Sequence, residues 1–480
     1  MERYIYVIFL LWLATVTFDL VVLAELQYSD KHPYSEDDKL NDVHLMYSDY
    51  GSNYQTYTDK NGDMDIPIIL WWTSASLYPH HDRQGTVIQC GDVKCYSSAN
   101  RNQLTDKRTR GIMFYGTDFD PTDLPLPRAS QHEWALFHEE SPLNNFMLNH
   151  NIFLKLINHT ATFRRESDYP ITTQNIYNPK FLTIKQPVPL TVKNEKRKEN
   201  NLAPVLYVQS HCEVPSDRDR YIEEFMKYID VDSYGSCLHN KDLPAHLVDP
   251  APNFEKDEFL ELIQSYKFHL AFENAICKDY MTEKLMRPLH IGSVPIYRGS
   301  PNAKDWMPNN KSIILVDDFE SPKELADYIK YLDTHDEEYE KYLEFKKPGG
   351  VKNKMLIEHL ANRKWHVNTD GSMEYFRGFE CHICHKLNER YTLEKAHEID
   401  PTVELLPSKT ANVSHLGCPQ PYTSLGHPED IKNTSDLWRK MEWVEMYWEG
   451  FDQARAVRNM LLNHETKPSK YKKYLRILRG

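Results

Sequence analysis

The chain has 480 residues, with 57 Lys and Arg against 70 Asp and Glu, a formal net charge of −13, and a mean hydropathy of −0.64. So acidic a chain is ill suited to neutralising a phosphate backbone, and no nucleic-acid partner is expected. The hydropathy excludes a protein of many membrane spans, and 40% hydrophobic with 12% aromatic residues excludes wholesale disorder.

Tyr4 to Ala24 is an almost unbroken apolar run of about 21 residues, long enough at about 1.5 Å per residue to cross a bilayer of roughly 30 Å. Arg3 precedes it, and Glu25, Asp30, Glu36 and Asp37 follow. This polarity predicts a signal-anchor over residues 1–25, a single-pass type II protein of the endoplasmic reticulum or Golgi membrane with its body in the lumen. Val22 and Ala24 also fit the cleavage site of a signal peptide, and both readings send the body into the secretory pathway. N-x-S/T triplets at Asn158, Asn310, Asn412 and Asn433 are candidate glycosylation sites there. The eight cysteines read first as disulfides.

Residues 26–63 are polar, rich in Asp, Ser and Tyr, as in a flexible stem. Between 64 and 190, strand-like runs at Ile66 to Trp72, Gly111 to Tyr115 and Trp134 to His138 predict an α/β lobe. Lys185 to Pro204, rich in Pro and Lys with no core pattern, reads as a linker. From 204 to 350, strands at Val205 to Gln209, Phe268 to Phe272, Val294 to Tyr297 and Ile313 to Val316 alternate with helices. Those helices are Asp217 to Ile229, Phe259 to Tyr266, Thr282 to Ile291 and Ser321 to Leu332. Such alternation implies a parallel sheet covered on both faces, with ligands at the carboxyl ends of its strands. Residues 351–480 form a C-terminal extension: Cys381 to Cys384, a loop-rich stretch to Pro428, and an aromatic amphipathic helix around Leu437 to Leu462. Its end is basic (Lys467, Lys470, Lys472, Lys473, Arg476, Arg479) and reads as a solvated helix end.

The chemistry concentrates in Phe268 to Gly299. There a buried strand runs into Glu273 and Asn274, and then Asp279, Tyr280, Thr282, Glu283 and Lys284 open a helix. Helix N-termini attract anions, so Lys284 in the first turn suits a diphosphate and Glu283 a ribose hydroxyl. By themselves these residues also fit a plain helix cap and a solvated lysine.

The string FENAICKDYMTEK followed by VPIYRG resembles the donor-binding signature F-E-N-S-x-x-x-D-Y-x-T-E-K of the α-1,3-fucosyltransferases of glycosyltransferase family ten. Asn274, Tyr280 and Lys284 match without a gap, and the resemblance runs from about Ile66 to Cys384. HEESPLNN (His138 to Asn145), SHCEVPSDRDRY (Ser210 to Tyr221), DSYGSCLHN (Asp232 to Asn240) and DWMPNN (Asp305 to Asn310) are similar to the divergent animal subgroup numbered ten and eleven. Ala275 stands where the general family has Ser, and Arg287-Pro288 where it has Asn-Ala.

The resemblance implies a GT-B fold of two Rossmann-like lobes with a cleft between them, and an inverting transfer of L-fucose from GDP-fucose. It implies that Lys284 and Arg218 hold the diphosphate, Glu283 the ribose, and Asn274 and Tyr280 the donor. Glu140, in the E-S-P motif, is implied as the general base. Inversion needs a single carboxylate to accept the acceptor's proton and cations to receive the leaving diphosphate, which those residues supply. Glu139 is the competing base, since neighbours on a strand face opposite ways. Subgroup likeness points to Ser or Thr of EMI domains in secreted proteins as acceptor. GlcNAc of N-glycans or N-acetyllactosamine is the alternative acceptor, and a catalytically inactive secretory lectin or chaperone the alternative class.

Two further motifs compete. Asp118-Phe119-Asp120 resembles a D-x-D metal site, but cations at the donor make a metal redundant, and no cofactor is expected. Cys381-His-Ile-Cys384-His385 could hold haem or zinc, but no second ligand pair follows it. The family resemblance implies instead that Cys381 and Cys384 bridge to Cys90 and Cys95. Cys212 and Cys237 flank one helix and one strand, where a local bridge would brace Arg218, which leaves Cys277 and Cys418 as a possible pair.

Overall fold

The computed structural model, which describes residues 65–73, 78–177, 180–248, 256–365, 375–425, 438 and 441–479, contains two sheets; apolar runs of the sequence supply some of their strands, and polar stretches such as His159–Thr162 and Val231–Ser233 supply others. In the N-terminal lobe these are β1 (Ile68–Trp71), β2 (Thr86–Cys90), β3 (Val93–Ser98), β4 (Thr109–Tyr115), β5 (Glu133–His138) and β6 (His159–Thr162). They run in the order β2-β3-β1-β4-β5-β6; β2 and β3 form an antiparallel hairpin at the edge, and the other pairings are parallel. Successive residues of β4 serve opposite faces, with Ile112 and Phe114 in one core and Met113 in another. Burial on both faces makes such a strand read as an unbroken apolar run.

The C-terminal lobe is wholly parallel, β11-β10-β9-β7-β8, with β7 (Val205–Tyr207), β8 (Val231–Ser233), β9 (Phe268–Phe272), β10 (Val294–Arg298) and β11 (Ile314–Leu315). Helices α1 (Leu190–Glu199), α2 (Arg218–Phe225), α3 (Asp257–Ile263), α4 (Glu283–Ile291) and α5 (Pro322–Thr334) accompany it. One face packs β7, β9 and β10 on α2, α4 and α5; the other packs Leu206 on Phe259 and Ile263 of α3. The stretch expected as a linker carries α1, whose buried Lys193 donates from Nζ to the backbone carbonyls of Tyr266 and Gly292 at 2.9 and 3.2 Å. That ammonium satisfies a carbonyl at the C-terminal end of α4, where helices leave acceptors unpaired.

The helix Lys354–Asn362 still packs on the C-terminal lobe through Leu356 and Leu360, and two long helices after residue 375 return to the N-terminal lobe and cover both faces of its sheet. Helix α6 (Tyr375–Ile399) lies on the Met113 face through Phe379, Ile383 and Leu387. Helix α7 (Trp443–Leu462) lies on the Phe114 face through Phe451, Ala454 and Val457. Gly111 of β4 lets α6 approach: a Cβ there would stand 2.9 Å from Leu387 Cδ1. The basic tail is helix α8 (Tyr471–Arg479), anchored by buried Tyr471.

Cys381 and Cys384 therefore sit on a helix. A spacing of three puts both thiols on one face, where they bond Cys90 and Cys95 of the β2–β3 hairpin. Cys90–Cys381 closes a separation of 291 residues. With that loop closed, Cys95–Cys384 constrains only a few more residues and adds rigidity more than chain-entropy gain. Cys212 pairs with Cys237, and Cys277 with Cys418.

Three sequence expectations change. The transmembrane anchor and the type II membrane placement are corrected: among the described residues no helix is long and apolar enough to cross a membrane, and Tyr4 to Ala24 lies outside them, as does the stem. The Asn158 sequon is closed, because that side chain is 1% exposed. Its amide donates to Lys409 O at 2.9 Å, and its Oδ1 accepts from Arg128 and from Trp134 N. Asn310 and Asn412 are exposed, and Asn433 lies outside the described residues.

Candidate active site

A cavity of about 620 Å³ opens at the carboxyl ends of β7, β8 and β9, against the start of α4. Arg218, Asn274, Glu283 and Lys284 line it. Its floor depends on Gly235 after β8, where a Cβ would fall 1.9 Å from Gln209 O.

Helix α4 starts at Thr282, whose hydroxyl accepts from Lys284 N at 3.4 Å. The carboxylate of Glu273, at the end of β9, takes the Thr282 N–H at 2.8 Å and its hydroxyl at 2.7 Å. Glu273 is fully buried, and burial pushes its carboxyl up to about 7 against the pull of Lys284. Lys284 Nζ stands 3.0 Å from Glu283 Oε1, 3.1 Å from Thr282 Oγ1 and 3.8 Å from Glu273 Oε2. Burial opposes the lysine's charge, but the two carboxylates outweigh it and raise its pKa. Burial would raise Glu283, but Lys284 and Arg287 hold it at about 2, so it is an ionised acceptor.

Arg218 opens α2 and is 1% exposed. It donates to Phe272 O at 2.9 Å and His211 O at 2.5 Å, leaving Nε buried without a hydrogen-bond partner. The Cys212–Cys237 bridge braces the loop before it. Asn274 accepts Ser216 N on its backbone and keeps Oδ1 buried without a hydrogen-bond partner.

Tyr280 does not line the cavity. Its ring packs on Phe163 at 5.0 Å, and its hydroxyl donates to Glu140 Oε2 at 3.2 Å, joining the donor motif to the N-terminal lobe. Glu139 faces the other way. Its Oε1 accepts from Tyr115 at 3.0 Å, its backbone carbonyl accepts from Gln174 Nε2 at 3.0 Å, and its Oε2 is buried without a hydrogen-bond partner. Burial, with a smaller push from Glu140, raises the Glu139 carboxyl to about 7. Glu139 thus holds its proton when folded and releases it when unfolded, between about pH 4.5 and 7. Its contribution to stability is present below that window and lost as pH rises through it. Urea titrations from pH 5 to 7.5 should show stability falling, with a shallower slope in Glu139→Gln; equal slopes refute the expectation.

Sequence reading missed the bolt that holds the motif. Asp279, at φ +63° and fully buried, accepts from Arg165 Nε at 3.0 Å and Nη2 at 2.7 Å, from Trp306 at 2.8 Å and from Asn302 at 2.6 Å. Burial would raise its pKa, but the Arg165 hydrogen bonds lead the groups that lower it. Arg165 follows β6, so the ion pair crosses the cleft, and Lys278–Glu166 at 2.6 Å and Cys277–Cys418 flank it. Nothing in the sequence marked Arg165. Glu273, by contrast, was legible as an acidic residue between a buried strand and a helix start.

Two α/β lobes, parallel but for the β2–β3 hairpin, with a cation-lined cavity in one and a carboxylate presented from the other, have the architecture expected of a glycosyltransferase of GT-B-like fold. Family models describe the same division: "Fucosyltransferase, N-terminal" matches residues 65–174, and "Glycosyltransferase family 10 (fucosyltransferase) C-term" matches 195–400. The chain belongs to glycosyltransferase family 10 and is a fucosyltransferase. It is 45% identical over 396 residues to GDP-fucose protein O-fucosyltransferase 3 of Bos taurus, covering 82% of this chain and 79% of that one. With the Homo sapiens protein of that name it is 41% identical over 452 residues, covering 92% and 90%. A solved α1,3-fucosyltransferase with GDP-fucose aligns at 16% identity and a TM-score of 0.37 over 73% of this chain and 94% of that chain, a likeness too loose to carry inference.

Proposed function

We propose that this enzyme transfers L-fucose from GDP-β-L-fucose to a Ser or Thr hydroxyl of a secreted protein, inverting the anomeric carbon. One observation carries the reading: Tyr280, inside the donor motif, meets Glu140 across the cleft, so a carboxylate of one lobe is held against the donor-side machinery of the other. Glu140 takes the proton as the acceptor oxygen attacks C1 of fucose. The bond from C1 to the β-phosphate oxygen breaks, and GDP leaves with that electron pair. Lys284 and Arg218 receive the charge that develops on the diphosphate. Glu283 accepts from the ribose, Asn274 binds the donor, and Tyr280 orients Glu140. Relatives of up to 45% identity named as protein O-fucosyltransferases support the protein acceptor.

The test is the full chain with GDP-fucose, scoring GDP release on a folded EMI domain and on a biantennary N-glycan. Turnover on the EMI domain is expected. Turnover on the glycan alone overturns the acceptor, and turnover on neither overturns the enzyme reading.

No divalent ion enters this reaction. Asp120 is occupied by Thr122, accepting its N–H and hydroxyl at 2.7 Å each, and Asp118 is exposed. Asp118→Asn and EDTA treatment should each leave the rate within about twofold of wild type, because two cations already face the diphosphate. A metal-restored loss of more than tenfold refutes this.

A further inference from the structure

Arg218 is delivered to the cavity by a loop that a segment from the far end of the chain holds in place. Asp217, just before it, occupies the N-cap of α2 in the left-handed region, at φ +51°, and is 5% exposed. An N-cap aspartate ordinarily accepts from an N–H of the helix it opens, but the Asp217 side chain does not cap α2. Its Oδ2 accepts instead from Ser424 N at 2.8 Å and Ser424 Oγ at 3.0 Å, 207 residues away, and stands 3.2 Å from Arg220 Nε of α2. A non-glycine residue at positive φ persists only where its surroundings over-determine it. At Asp217 the paired donors of Ser424 do so from outside the helix.

The segment that carries Ser424 is itself fixed. Gly417 O accepts from Arg164 Nη1 at 3.0 Å and Cys418 N donates to Asn149 Oδ1 at 3.1 Å, both partners belonging to the N-terminal lobe, while Cys418 is bonded to Cys277 in the donor motif. On the near side, Ser216 donates from Oγ to Glu273 O at 2.7 Å and from N to Asn274 O at 3.1 Å, and Trp438 Nε1 donates to Pro215 O at 3.2 Å. The loop before α2 is thus clamped between the donor motif and the C-terminal segment. Neither Asp217 nor Ser424 lines the cavity, whereas Arg218 between them and the ligand space does. Drawing the Asp217 carboxylate onto Ser424 also keeps an anion off the start of a helix that must face a diphosphate.

We propose that Ser424 is a positioning residue for donor binding: by fixing Asp217 it sets the backbone from which Arg218 reaches the diphosphate. This rests on the reading of the cavity as the donor site.

The experiment is calorimetric titration of the full chain with GDP, which reads the Kd and the number of sites separately, with thermal melting to confirm that each variant is folded. Ser424→Ala should raise the Kd about tenfold with the site number unchanged, near the lower end of what a hydrogen bond to a charged group is worth. Ser424→Thr keeps the hydroxyl and should bind as wild type does. In an Arg218→Ala background Ser424→Ala should add nothing, because the residue through which it acts is gone. A Ser424→Ala protein with fewer sites and an unchanged Kd would show a merely structural role, and the proposal falls. It falls too if Kd and site number are both unchanged, if Ser424→Thr binds as weakly as Ser424→Ala, or if the loss adds in full to that of Arg218→Ala. Wild type that fails to bind GDP at all overturns the donor reading itself.

Discussion

Glu140→Gln should lower kcat by about 10²- to 10⁴-fold, the range for a lost general base, with GDP affinity unchanged. Gln has the shape of Glu, and its side-chain oxygen can still accept from the Tyr280 hydroxyl that meets Oε2 at 3.2 Å in the wild type. The loop after β5 should therefore hold its position, and the substitution removes only the capacity to take a proton. The comparison variant is Glu139→Gln. Its carboxylate binds Tyr115 and turns away from the donor motif, so it should retain most of the activity while altering the pH dependence of stability. The measurement is kcat for both variants beside the Kd for GDP. If Glu139→Gln loses the larger factor, the base is Glu139 and the Tyr280 contact belongs to positioning alone.

Asp279→Ala should destabilise the protein by about 3–5 kcal/mol, the cost of stripping one partner from a buried ion pair. The substitution leaves the Arg165 guanidinium, the Trp306 indole N–H and the Asn302 amide without the acceptor they share. It also leaves a non-glycine residue at φ +63° without the hydrogen bonds that offset that conformation. Because Arg165 comes from the N-terminal lobe, the loss falls on the interface between lobes as well as on the motif. Urea unfolding of Asp279→Ala, Arg165→Ala and the double variant measures both effects. The pair should show a coupling of about 0.5–3 kcal/mol, as expected for residues in direct contact. A single-variant loss under about 1 kcal/mol, or additive effects, would show that the lobes are held by other contacts.

Much of the C-terminal lobe could be read directly, because its pattern is local. β9 and β10 fall at Phe268–Phe272 and Val294–Arg298, where apolar runs stood. Ser321 caps α5 by accepting from Glu324 N at 3.2 Å, as the Ser-x-x-Glu spacing implies. Four of the five donor residues named from the motif line the cavity. Tyr280 does not, because its orientation is set by Phe163 from the other lobe.

Local pattern also told where the apolar strands run and where α4 begins, since side-chain period and capping act over a few residues, but it passed over the β2–β3 hairpin and the polar strands β6 and β8. It could not tell what covers the N-terminal sheet. That depends on burying the two faces of β4 under helices some 270 and 340 residues away in sequence, α6 and α7, and nothing in a hydrophobic stripe names its partner. Cysteine spacing is silent about backbone conformation, and only packing on β2 and β3 shows that the Cys-x-x-Cys lies on helix α6. The acidic chain of −13 carries a cationic cavity because charge acts at the range of the site. Residue types and short spacings decided the family and the donor chemistry, whereas contact between distant segments decided which carboxylate faces the cleft and what bolts the motif in place.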